Sequence, residues 1–90
     1  MALINITEMV ARERLTQLLN YSDCCKCEKC YTDMLAIVLN NIKPQYVNTH
    51  KGELFKRISA TTIQNLIDMD IAISKVIELV SRSPLHNITD

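Results

Sequence analysis

Apolar residues recur along this chain at intervals of three and four, the spacing of one face of an α-helix, and one glycine and two prolines are all that interrupt them. Asn5 with Glu8 three positions on reads as a capping box at a helix N-terminus. Ala11, Leu15, Leu18 and Leu19 then mark a buried stripe. A first helix is therefore expected from about Ile6 to Asn20, with a turn over residues 21–24. A second helix is expected from Cys27 to about Ile42, with Tyr31, Met34, Leu35, Val38 and Ile42 on one face. Ile37 and Leu39 make it nearly apolar all round, which marks a helix buried on more than one side. Pro44 disfavours the α conformation at Lys43 and ends it. Residues 45–51 are expected to be extended and 52–58 to form a short helix. Thr61 with Gln64 reads as a second capping box, opening a long helix that lasts to about Arg82, and Pro84 bars its continuation.

The long helix carries two apolar strips. Leu66, Met69, Ile73, Val76 and Val80 form a coiled-coil-like seam, and Ile63, Ile67 and Ile71 form a second strip beside it. Together they cover more than the arc of roughly 100° that packing against one small domain requires. One strip is therefore expected to face a second copy of the chain. Asp70 and Ser74 project between the strips and need hydrogen-bond partners wherever they are buried.

With 90 residues and 48% hydrophobic content, the chain fits one all-α domain spanning 1–90. A core of that size is marginal by itself and is usually supplemented by metal, disulfide or self-association. Ten basic and ten acidic residues leave no net charge, which argues against a sequence-independent grip on DNA. The longest apolar run, Met34–Leu39, is far short of the roughly 20 residues that span a bilayer. The N-terminus has no basic segment leading into an apolar stretch, so it does not read as a signal peptide. A cytoplasmic location is expected, where clustered thiols more often bind metal than pair as disulfides.

Four thiols fall within Cys24-Cys25-Lys26-Cys27-Glu28-Lys29-Cys30. Cys27 and Cys30 have the spacing of a zinc knuckle, on one face of a first helical turn, and Cys25 can reach back as a third thiolate. Lys26, Lys29 and the positive helix end favour the thiolate form. Cys24 is a weak fourth ligand because it points away from its neighbour Cys25. An imidazole from His86 or His50, or a group from a second subunit, closes a tetrahedron better, and His86 is preferred. A redox Cys-x-x-Cys pair, an iron–sulfur centre and four plain buried thiols are the competing readings. The redox pair lacks a βαβ setting, and the iron–sulfur centre lacks well-separated thiolates. No Glu or His beside the cluster is placed as a general base, so the expected site is structural zinc and the chain is not expected to be an enzyme.

The stretch Cys25-Lys-Cys27-Glu-Lys-Cys30-Tyr-Thr-Asp33-Met-Leu-Ala36-Ile-Val-Leu39-Asn40-Asn-Ile-Lys-Pro44-Gln-Tyr46-Val47 resembles the late-competence ComFB family. The shared pattern is Cys-x-Cys-x-x-Cys, an Asp three residues later, an apolar run ending in Leu-Asn, and Pro-x-Tyr-Val. The resemblance implies a small helical dimer with a cysteine-bound zinc held by Cys25, Cys27 and Cys30. It leaves Cys24 outside the pattern. Where a relative supplies a further Cys near the C-terminus, this chain has Pro84-Leu-His86.

Two functions compete. One is a zinc-stapled homodimer acting as a regulatory or scaffolding module. The other, implied by cyanobacterial relatives regarded as such, is a receptor for a cyclic dinucleotide. Its handle here is Tyr46 followed by His50, Lys51, Lys56 and Arg57, a basic group with one aromatic. Arg57 is the residue best suited to a bidentate phosphate contact.

Overall fold

The computed structural model describes residues 3–82, so His86 and the segment 83–90 lie outside the described residues. The elements run β1 (Ile4–Asn5), α1 (Ile6–Leu19), α2 (Glu28–Asn41), β2 (Tyr46–Val47), α3 (His50–Ala60) and α4 (Ile63–Arg82). The fold is all-α, with two-residue strands as its sheet content. Ile4 pairs antiparallel with Val47 and Asn5 with Tyr46, a ladder the helical periodicity does not foreshadow.

Asn5 caps α1 as expected, but its Oδ1 accepts from Thr7 N at 3.2 Å and from Gln45 N at 2.9 Å. One side chain thus starts a helix and holds the segment that follows α2. Ile6 N donates to Gln45 O at 2.7 Å and Thr7 Oγ1 to Lys43 O at 2.9 Å, completing the junction. Glu8 does not close a capping box; its carboxylate pairs with Arg12 one turn on.

The helix ends differ from expectation by a residue or more, each for a local reason. Cys27 is the N-cap of α2 and not its first helical residue. Helix α3 is longer at both ends than the expected 52–58, because Thr49 Oγ1 caps it by accepting from Gly52 N at 3.0 Å. A Cβ at position 52 would lie 2.9 Å from that oxygen, so glycine suits this cap. The expected Thr61–Gln64 box is replaced. Thr61 belongs to the end of α3, where its Oγ1 donates to Arg57 O at 2.7 Å. Thr62 Oγ1 accepts from Asn65 N instead, and Gln64 donates to Asp68.

The core is the meeting of α1, α2 and α4. Ile6, Val10, Ala11, Leu15 and Leu19 face Cys30, Met34, Leu35 and Val38, and both sets pack on Met69, Ile73, Val76, Ile77 and Val80. The seam side of the long helix is therefore domain core, with Leu66 half-buried at its edge. The second strip is outside, with Ile63, Ile67 and Ile71 exposed by 80%, 47% and 50%. Asp70 is half-buried and held by Arg14 of α1 through two bonds of 2.8 and 2.6 Å, a fork that locks α4 against α1 and raises the Arg14 pKa. Helix α3 contributes no buried residue and lies on α1 as an outer layer. Among the described residues, no helix is long and apolar enough to cross a membrane.

The double role of Asn5 can be measured. Asn5→Ala removes a helix cap and orphans the Gln45 amide together, and is expected to lower unfolding stability by about 2 kcal/mol in a denaturant titration. Asn5→Asp, which keeps the acceptor, is expected to lose less than half as much.

Candidate metal centre

The turn between α1 and α2 has little regular backbone to hold it. Helix α1 closes with Tyr21 N and Ser22 N donating to Leu18 O and Leu19 O, and Ser22 Oγ caps Leu18 O at 2.9 Å. After four intervening residues the chain re-enters a helix at Cys27, whose extended backbone (φ −66°, ψ 164°) and Sγ serve as the N-cap. Cys30 N donates to that sulfur at 3.4 Å.

Capping aims the Cys27 sulfur at the first turn of α2, where Cys30 is buried at 1% exposure. Cys25 reaches back to the same point. The sulfurs of Cys25, Cys27 and Cys30 all lie within 4.8 Å of one another. Tetrahedral zinc with ligands at roughly 2.3 Å sets sulfurs about 3.8 Å apart, so the arrangement fits a metal after small adjustment. Cys24 is half-buried and packs against the hydrophobic core, outside the cluster. Among the described residues, His50 is not part of the cluster either; it opens α3 on the surface.

The thiols differ in acidity. The hydrogen bond from the Cys30 backbone, then that from the Cys25 side chain, lowers the Cys27 thiol to about 7. Burial, followed by its bonds with Cys27 and Cys25, pushes Cys30 up to about 12. A thiophilic metal bound among these sulfurs would take the place of the thiol protons.

The basic group Tyr46, His50, Lys51, Lys56 and Arg57 is not gathered into one site. Tyr46 stands exposed on β2. Lys51 lies over the ring of Phe55 at 6.0 Å. Arg57 turns to α1 and pairs with Glu13 at 2.9 Å. Lys56 alone of the five lines a cleft of about 430 Å³ between the start of α1 and the α3–α4 junction, alongside Lys43, Asn65 and Asp68. One residue of the motif is placed in a way the sequence does not foretell. Asp33, a turn beyond Cys30, has its Oδ1 3.6 Å from Lys29 Nζ, while its Oδ2 is fully buried and has no hydrogen-bond partner.

Residues 4–84 match the model of the family described as late competence development protein ComFB. The chain belongs to that family. It is 29% identical over 83 residues to competence protein ComFB of Bacillus subtilis (strain 168), covering 91% of this chain and 85% of the relative. The solved structure of the late competence protein ComFB from Bacillus subtilis superposes with a TM-score of 0.80 at 27% identity. That likeness covers 98% of this chain and 100% of the other. The ComFB-type motif read from the sequence thus lies on a ComFB fold, with its three cysteines convergent.

The unequal acidities predict an order of reaction. In chelator-treated protein, iodoacetamide should alkylate Cys27 before Cys30, because the thiolate is the nucleophile and of these two Cys27 forms it the more readily near neutrality. The rate at Cys27 should fall as pH drops below about 7. Peptide mapping after short exposures checks both.

Proposed function

We propose that this ComFB-family chain is a non-catalytic, zinc-stapled homodimer that serves as a regulatory or scaffolding module in the cytoplasm. The observation that carries the reading is the convergence of Cys25, Cys27 and Cys30 within 4.8 Å at a helix N-terminus. Soft thiolates in that number suit a closed structural zinc, with an imidazole as fourth ligand, for which His86 remains the candidate. Such a site contributes folding free energy directly. A link to the development of competence rests on what the Bacillus subtilis relative is called.

Self-association is supported by the outer surface. Ile63, Ile67 and Ile71 stand exposed on one side of α4, and Leu54, Phe55 and Ile58 of α3 are each 59% exposed. Soluble monomers rarely leave so many large apolar side chains in water. Burying each is worth roughly 1.5–3 kcal/mol, and a twofold axis would set the strip on α4 against its twin. A cyclic dinucleotide receptor has less behind it, since Arg57 is engaged by Glu13 and only Lys56 lines the cleft.

The purified protein is expected to hold about one equivalent of zinc per chain. Cys27→Ser or Cys30→Ser should abolish retention, and Cys24→Ser should not. A folded protein that takes up no zinc would end this reading. Sedimentation at micromolar concentration should give a dimer. Ile67→Glu should yield a folded monomer, whereas Ile73→Glu, in the middle of the core, should prevent folding. A wild-type monomer would remove the dimer from the proposal.

A further inference from the structure

Cys27 and Cys30 differ in a way that metal ligation does not require. Cys27 is exposed and Cys30 is buried, yet their sulfurs lie within 4.8 Å of each other. The Cys27 sulfur is held over the first turn of α2, because it accepts the Cys30 amide at 3.4 Å as the helix N-cap. Cys30 is fixed from the other side by the core, which it shares with Met34 and Val38. One sulfur is thus open to small solutes, and a second stands beside it, shielded from them.

An accessible sulfur that is oxidised, next to a thiol that resolves it, is the arrangement of a thiol sensor. We propose that Cys27 and Cys30 are a peroxide-responsive pair, closing to a disulfide that dismantles the metal centre. The oxidant is a hydroperoxide, and hydrogen peroxide is the simplest. The Cys27 sulfur attacks one peroxide oxygen, the O–O bond breaks, and the other oxygen leaves with the thiol proton as water. The Cys30 sulfur then attacks the sulfenic acid formed on Cys27. An S–S bond forms, the S–O bond breaks, and the hydroxyl takes the Cys30 proton and leaves as a second water. Two thiols lose two electrons and one peroxide becomes two waters.

The spacing allows the bond. Residues three apart on a helix have Cβ atoms roughly 5–6 Å apart, and a disulfide needs about 3.5–4.5 Å, so the turn must draw in by about 1 Å. Cys27 is at the cap and not within the helix, so this movement breaks no helical ladder. A βαβ setting, absent here, serves dithiols that pass electrons to other proteins; a pair that senses peroxide does not need one. Closure takes two of the three sulfur donors and leaves Cys25. Loss of metal therefore rests on the zinc reading above, whereas the disulfide does not.

The test treats the zinc-loaded full chain with hydrogen peroxide beside a chromogenic zinc indicator, with non-reducing peptide mapping at intervals. One zinc should be released for each Cys27–Cys30 disulfide, and dithiothreitol with added zinc should restore the site. Chelator-treated protein should close the same disulfide. Cys25→Ser, which keeps both members of the pair, should close it as well. In Cys30→Ser, dimedone should trap the sulfenic acid on Cys27. Peroxide that leaves Cys27 and Cys30 reduced in the chelator-treated chain, or that joins Cys27 to Cys24 or Cys25, would overturn the proposal and leave the zinc site standing. A chain that holds no zinc yet closes the Cys27–Cys30 disulfide would keep the pair and end the zinc reading.

Discussion

The Cys27 sulfur does two things on which the rest depends. It caps the N-terminus of α2 and it joins the thiol cluster, so the point where the helix begins and the point where the metal would sit are the same. Serine, threonine or aspartate would cap a helix as well, but none of them would bring a soft donor to the first turn. Cys30, one turn on, is part of the domain core, which anchors the cluster to Met34, Val38 and the other buried residues of α2. A bound zinc would fix the α1–α2 connection from its core end. No regular element lies between Leu19 and Glu28, and the staple would substitute for one.

The remainder of the fold is organised by how α4 divides its apolar surface. Ile73 and its neighbours complete a three-helix core, and the Arg14–Asp70 fork sets the rotation of α4 about its axis. That rotation leaves Ile63, Ile67 and Ile71 outward. A domain of this size is short of buried surface, a shortage that a metal at the thiols and a partner on the outer strip would each relieve.

Much of this was legible in the sequence, and the parts that were not have physical reasons. Helices α1, α2 and α4 announced themselves because each buries a face, and burial imposes a period. Helix α3 buries no residue, so no period marks its limits, and its caps are Thr49 and Thr61. Thr61 and Thr62 are adjacent candidates for one cap, and only the backbone path distinguishes them. The arc on α4 was visible, whereas which strip faced inward depended on the Arg14–Asp70 contact, 56 residues apart. The three cysteines were readable because metal chemistry constrains spacing within a few residues. Asp33 stood in the shared motif, but its burial was not readable, since an aspartate in a helix looks like any solvated charge until its oxygen is found buried. The Tyr46–Arg57 group failed as a set for the opposite reason. Its members are close in sequence, yet α3 turns Arg57 toward Glu13 and Lys56 toward the cleft.

A metal at the thiols would hold the α1–α2 connection and the start of α2. Native-state hydrogen exchange, followed residue by residue before and after chelation, tests it most directly. Chelation should strip protection from the amides of residues 21–31, including Cys30 N on the Cys27 sulfur. Amides around Ile73 in α4 should change far less. Protection that is unchanged across 21–31 after complete metal removal would contradict it.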